Sequence, residues 1–449
     1  MSDWSSIAMD CAQRLSRLLR FDTANPPGNE LPCLADLAAT FREAGIQVEL
    51  FESAPGRGNL LAEIPATAEG ALPSSEALLL MGHVDVVPAE AELWSHGPFS
   101  GDIADGCVWG RGALDMKHIV AMWTELALLL RRRGVRLRRP VKIMFNADEE
   151  AGGEVGAGWM VRHHLDRIRA AVALNEGGGE GLEMGGVTYF TYQPAEKAPC
   201  AFDLVARGRP GHGSVPTDDN AVVWLSRALV ALATTETPLR VTEPVRAFVE
   251  GLAAAQPQPH RDLLLGTLEA ESHHAALAAI PDAYQRATLH ALMHDTVTPT
   301  MLEAGSRVNV IPATARGTCD CRILPGQTPE GMAAWVHEVL AAHGLLEHVE
   351  VRFRRASTPV ASPVDAPVVE SMRRALERHA PGSRLVPTML TGGTDGSWLR
   401  PAGIPTYGFA PLLPGEAHET VHGIDERIRI ASLEFGLKVL WDVILDYCA

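Results

Sequence analysis

No apolar run in this 449-residue chain approaches the ~20 residues needed to span a membrane, so no membrane-spanning helix is expected. The amino end, M-S-D-W-S-S-I-A-M-D, lacks the basic patch and apolar core of a secretory signal. Positive charge is in deficit: 39 Lys and Arg stand against 55 Asp and Glu, and the net charge of −16 argues against nucleic acid as a partner. The one basic run, Arg131 to Arg139, reads as a helix C-terminus whose arginines offset the helix dipole and whose stop is Gly134. Cysteine is sparse, odd in number at seven, and scattered, which suits a reducing compartment and hence the cytoplasm. Cys319 and Cys321 share one face of a strand as core packing, and no second pair exists to complete a zinc knuckle. Internal repeats and low-complexity segments are also missing.

What remains is an ordinary soluble globular composition, 46% apolar and 21% charged, too long for a single core. Residues 5–20 and 33–45 carry helical periodicity, the second closed by Gly45. Strand-like runs follow at 46–52, 59–64, 77–87, 141–147 and 170–175, with a long, mostly apolar helix from Met116. Such alternation predicts an α/β domain with a mostly parallel sheet and helices on both faces. Near Pro194 the character changes to a small α+β pattern, and the α/β pattern resumes near residue 362. The expected organisation is a catalytic domain of residues 1–195 and 360–449, with residues 196–359 inserted as a smaller lid or dimerisation domain. Residues 245–298 add a helical stretch to that insert, with His260, His273, His274, His290 and His294 read mostly as solvated helix positions.

Metal-ligand residue types stand at the carboxyl ends of three apolar runs: His83 and Asp85, Glu149 and Glu150, and Glu176. Ligands gather at such strand ends in open α/β sheets, and His with carboxylates suits a hydrolytic metal site. In H-x-D both side chains point one way, so His83 can be a ligand that Asp85 orients, although the pattern is also common in structural roles. Asp115, after a Gly-rich approach, is either a helix N-cap or a carboxylate bridging two metals. Adjacent Glu149 and Glu150 at a buried strand end need a cation nearby; the plainer alternative is an exposed acidic turn. Glu176 could be a simple loop carboxylate and His422 a surface histidine. The formal H-E-x-x-H at His418–His422 is expected to be coincidental, because Pro411, Pro414, Gly415 and Gly423 leave no room for the helix it requires.

Taken in order, M-G-H-V-D-V-V-P, G-R-G-A-L-D-M-K, A-D-E-E-A-G-G, N-E-G-G, G-H-G-S-V-P, N-V-I-P, C-D-C-R, T-G-G-T-D and V-H-G-I-D-E-R-I run through nearly the whole chain. This series resembles the zinc-dependent family of aminoacylase, acetylornithine deacetylase, succinyl-diaminopimelate desuccinylase and glutamate carboxypeptidase. The resemblance implies two Zn2+ ions, with Co2+ or Mn2+ able to use the same ligands. His83, Asp115 and Glu176 would hold one, and Asp115, Glu150 and His422 the other, the pair bridging one hydroxide. Glu149 would be the general base. It also implies that His212 helps stabilise the oxyanion, often from the partner subunit of a homodimer. Asn309 and Arg322 would contact substrate, and Gly392, Gly393 and Thr394 would hold its carboxylate through backbone N–H groups. Arg307 has no assigned place. Relatives with Glu at the position of Glu176 tend to split N-acyl groups or C-terminal residues, whereas di- and tripeptidases tend to have Asp. The expectation is therefore an N-acyl amino acid deacylase or carboxypeptidase acting on a small molecule or short peptide. A dipeptidase is the near alternative, and a non-catalytic binding protein of the same fold the remoter one.

Overall fold

Every residue of the strand Leu78–His83 is buried, so its alternating side chains must find apolar partners on both faces. In the computed structural model, which describes residues 3–449, they do. Leu78 and Leu80 join Val141, Ile143, Phe145, Val172 and Leu174 in one core, while Leu79 and Met81 join Met144 and Ala173 in another. The first core is covered by the helices Trp4–Leu19, Leu31–Glu43, Lys117–Arg132, Pro367–His379 and Ile430–Cys448. The second is covered by Ala157–Ile168 and Leu399. Each fully buried Leu or Val contributes about 1.5–3 kcal/mol, which is what holds sheet and helices together.

These elements belong to the first of two units, made of the chain through Pro194 with Ser362–Thr388 and Thr394–Ala449. Its sheet has nine strands. At the centre Val141–Asn146, Leu78–His83, Val172–Asn175 and Thr406–Gly408 are parallel neighbours. The flank differs from the mostly parallel pattern expected: Gln47–Ala54, Arg57–Ile64 and Val141–Asn146 pair antiparallel, as does Thr406–Gly408 with Val187–Glu196. The first two of these strands are joined by only Pro55 and Gly56, a connection too short for a parallel crossover. The parallel centre is what positions chemistry, because its register sets His83 beside Asn146 and thus aligns the carboxyl ends.

The second unit comprises Ala195–Ala361 and Met389–Gly393. Its five-stranded sheet is antiparallel throughout, with Thr314–Ile323 between Thr296–Ala304 and Phe202–Arg207. The helices Ala221–Thr234 and Pro329–Ala342 pack on it through Leu225, Leu229, Met332 and Val336. Cys319 and Cys321 are buried and unpaired in that core, as their spacing implies. Four helices, Glu243–Ala253, His260–Gly266, His273–Ala278 and Ala283–Met293, make up the additional helical stretch. Among the described residues no helix is long and apolar enough to cross a membrane.

Candidate metal centre

His83 ends its strand fully buried, with Nε2 aimed beyond the sheet. That nitrogen lies 3.1 Å from Asp115 Oδ1, 3.6 Å from Glu176 Oε2 and 3.9 Å from Glu149 Oε2. The other oxygen of Asp115 lies 3.1 Å from His422 Nε2, which is also 3.3 Å from Glu150 Oε2. Two ligand groups result, His83–Asp115–Glu176 and Asp115–Glu150–His422, and Asp115 offers one oxygen to each. Asp115 is no helix cap: the helix begins at Lys117 and receives no side-chain cap.

Second contacts hold these side chains. His83 Nδ1 is 3.0 Å from the main-chain carbonyl of Asp85 and 3.5 Å from its carboxylate, so the nearer acceptor is the backbone. The Asp85 carboxylate instead accepts the backbone N–H groups of Glu149 and Glu150, each at 3.1 Å, and the amide of Asn25 at 2.9 Å. It therefore ties one strand end to the turn that follows another. That turn is not a loose acidic loop. Asp148 sits at φ +73°, nearly buried, and accepts from Arg57, Asn25 and the N–H of Val155. Arg57 is held in turn by a fork onto buried Glu30 at 2.7 and 2.8 Å.

The electrostatics are those of an anionic pocket. Burial works against a charged His83, yet Glu176, Asp115 and Asp85 hold its pKa well above the usual value. Hydrogen bonds to Asp115 and Glu150 raise His422 to about 10. Burial pushes Glu176 up to about 7, Asp395 up to about 8, and Glu149 well above the carboxylate range. Glu150 Oε1 is buried and makes no hydrogen bond among the described residues. So many buried carboxylates, one with an orphaned oxygen, call for cations, and a His/carboxylate donor set fits zinc, cobalt or manganese.

Comparison with known proteins agrees with this geometry. The family described as Peptidase family M20/M25/M40 matches residues 79–446, which include every residue of both ligand groups. The chain belongs to that family. Aminoacylase-1 of Sus scrofa is 27% identical over 431 residues, covering 94% of this chain and 91% of its own. The M20 family metallo-carboxypeptidase Sso-CP2 of Sulfolobus solfataricus shares the fold, with a TM-score of 0.71 at 18% identity over 100% and 99% of the two chains. The Bacillus subtilis YXEP protein, a dinuclear metal binding peptidase, aligns with a TM-score of 0.60 at 14% identity over 98% and 97%. This M20 member is a metal-dependent hydrolase.

The remaining candidates lie apart in the chain. In the second unit His212 and Asn309 are neighbours: Gly211–His212 pairs with Val310–Ile311, and the Gly213 N–H donates to the Asn309 carbonyl at 2.8 Å. His212 Nδ1 is 2.7 Å from Ser214 Oγ. Arg322 is half-buried, its guanidinium donating to Asp320 at 2.9 and 3.4 Å. Gly392 and Gly393 belong to the second unit, and Thr394, nearly buried, opens the next segment of the first. The H-E-x-x-H stretch is a single 3-10 turn, His418–Thr420, followed by His422 at φ +58°, so it presents no helical face.

Several residues at the M20 centre went unnoticed in the sequence. Asp395 is buried and accepts from Asn146 at 3.1 Å. Glu426 is fully buried under the loop that bears Asp115 and pairs with Arg111 at 2.6 Å. The T-G-G-T-D run was the only available signal for the first, and V-H-G-I-D-E-R-I the only one for the second.

Proposed function

We propose that this protein hydrolyses the amide bond of an N-acyl amino acid or the C-terminal peptide bond of a short peptide, with two zinc ions in the ligand groups around Asp115. The observation that carries this reading is the division of Asp115 between His83 and His422, with Glu149 Oε2 3.9 Å from His83 Nε2. His83, Asp115 and Glu176 would hold one ion, and Asp115, Glu150 and His422 the other. When bound, the ions supply a Lewis acid for the amide carbonyl and lower the pKa of the attacking water. Glu149 takes the proton from that water and passes it to the leaving nitrogen. Its backbone is fixed by Asp85, so the carboxylate swings on a rigid base. His212 would donate to the oxyanion, with Asn309 beside it. Arg322, with the backbone of Gly392, Gly393 and Thr394, would take the free carboxylate of the substrate.

The likeness to aminoacylase-1 and the Glu at position 176 favour deacylation or carboxypeptidase action over dipeptidase action. Zinc is preferred on the donor set. The seven free cysteines suit the cytoplasm. A homodimer through the second unit is supported by exposed Met301 and Leu302 on a strand and by exposed Val215, Val308 and Val310 near His212.

The deciding experiment is mass-spectrometric hydrolysis of a pooled library of N-acetyl, N-succinyl and long-chain N-acyl amino acids with dipeptides and longer peptides. Zinc-loaded protein is compared with Glu149→Ala. Cleavage of one acyl or C-terminal peptide class, absent in the variant, is expected; cleavage of dipeptides alone would replace this reading with a dipeptidase.

A further inference from the structure

The helical stretch of the second unit gathers histidines that its sequence pattern gives no reason to bury. His273 and His294 are 1% and 2% exposed. Each ring sends Nδ1 to a main-chain carbonyl, His273 to Thr267 at 2.6 Å and His294 to Thr237 at 2.7 Å. A carbonyl can only accept, so in both rings the Nδ1 nitrogen carries the proton. Both Nε2 nitrogens are then lone-pair acceptors, and they face one another at 3.1 Å. Two buried lone pairs at that distance repel unless something positive lies between them.

Two further donors converge there. Glu236 Oε1 is 3.8 Å from His294 Nε2 and 2.8 Å from His290 Nε2. The rings of His290 and His294 stack at 4.2 Å, one turn apart. Glu236, His290 and His294 form a set whose ligand atoms all lie within 4.8 Å. The second oxygen of Glu236 is 3.3 Å from His274 Nε2, which fixes the carboxylate. Ligand atoms bonded at ~2.0–2.1 Å to a tetrahedral zinc stand about 3.3 Å apart, close to the 2.8 and 3.8 Å separations within the set of Glu236, His290 and His294, which does not include His273. A ligand histidine whose other nitrogen donates to a carbonyl is the usual arrangement at a metal.

We propose that Glu236, His290 and His294 bind one zinc ion in the second unit, with the buried His273 set 3.1 Å from His294 Nε2. None of the three belongs to the centre around Asp115. The ion would fasten the segment after the helix Ala221–Thr234 to the end of the helix Ala283–Met293 through three protein ligands.

The test is zinc content of the full chain, by inductively coupled plasma mass spectrometry after loading with excess Zn2+ and desalting. Glu236→Gln and His290→Gln alter partly exposed side chains, so folding is retained. Each should lose one zinc ion per chain relative to wild type and keep hydrolytic turnover. Asp115→Ala should show the reverse, losing zinc from its own centre while holding one ion that Glu236→Gln then removes. As a second readout, Co2+ loaded into Asp115→Ala should give tetrahedral d–d absorption that His290→Gln abolishes. Equal zinc content in wild type, Glu236→Gln and His290→Gln would overturn the proposal, as would a 15N spectrum of zinc-loaded protein showing a proton shared between His273 and His294.

Discussion

Glu426 lays its carboxylate across the backbone of the loop that delivers Asp115. One oxygen accepts the N–H groups of Leu114 and Asp115 at 2.7 and 3.0 Å. The other accepts the Gly112 N–H at 3.0 Å and the Arg111 guanidinium at 2.6 Å. Arg111 also donates to the carbonyl of Gly423, next to His422, so one ion pair sets two of the ligand-bearing loops. Gly112 is required in this arrangement: at φ +89° a Cβ would come within 2.7 Å of Val86.

Replacing Glu426 by Gln puts an amide N–H₂ among four donors and leaves the buried Arg111 unpaired. Breaking a buried pair in this way costs about 3–5 kcal/mol. Loss of support to a ligand commonly weakens metal binding by roughly 10–100-fold. Glu426→Gln should therefore lower the denaturation midpoint and also weaken zinc in a chelator competition. Unchanged zinc affinity in a folded variant would show that Asp115 keeps its place without this clamp.

Glu149→Gln preserves shape and backbone contacts while removing the proton acceptor. Metal content should stay at the wild-type level, because Glu149 lies outside both ligand groups. Turnover should fall by roughly 10²–10⁴, the range of general-base contributions. Wild-type turnover in this variant would remove Glu149 from the mechanism.

Much of the centre could be read from the chain because parallel strands carry a simple rule. Their apolar runs end in step, so His83, Glu149–Glu150 and Glu176 announce themselves by where hydrophobicity stops. Asp115 and His422 sit in loops, where only the family motifs marked them. Glu426 and Arg111 stand within two of those motifs, but their role could not be read there, since their task is to satisfy backbone groups some 310 residues away in the chain. Sheet direction at the flank escaped for a related reason: periodicity reports burial but not which neighbour a strand meets. The histidines at 273 and 294 looked solvated because a polar residue at a helix end does so unless its partners are known.

Arg322 spends its guanidinium on Asp320, two residues away on the same strand face. A substrate carboxylate would meet a fork already oriented by that pair. Arg322→Ala should raise KM by ~10–100-fold for substrates with a free α-carboxylate, the equivalent of one or two charge-assisted hydrogen bonds. Arg322→Lys should rescue little, because a point charge cannot reproduce the planar fork. Equal effects on amidated substrates would deny the residue this role.

Metal loading should release protons, and the sign follows from the metal-free charges. His83 is held protonated well above its usual pKa and His422 to about 10, while Glu176 keeps its proton up to about 7. Each zinc ion needs its own imidazole neutral, and the ion held by His83 also needs Glu176 ionised. Protons thus occupy the metal-free site and must leave, so affinity rises with pH and falls on acidification. Below about pH 10 His422 must give up one proton to the ion it holds, so that ion's apparent affinity should drop by about tenfold per pH unit, and His83 imposes the same step on the other ion below its own raised pKa. Below about 7 Glu176 adds a further proton and the dependence steepens. Chelator competition across this range gives the slope, and calorimetry in buffers of different protonation enthalpy counts the protons. His422→Gln should remove the tenfold step per pH unit from the ion held by Asp115 and Glu150 and leave the slope of the other ion unchanged. A pH-independent affinity would mean that the two imidazoles are already neutral in the metal-free protein, and that the carboxylates around Asp115 do not set the charge of the site.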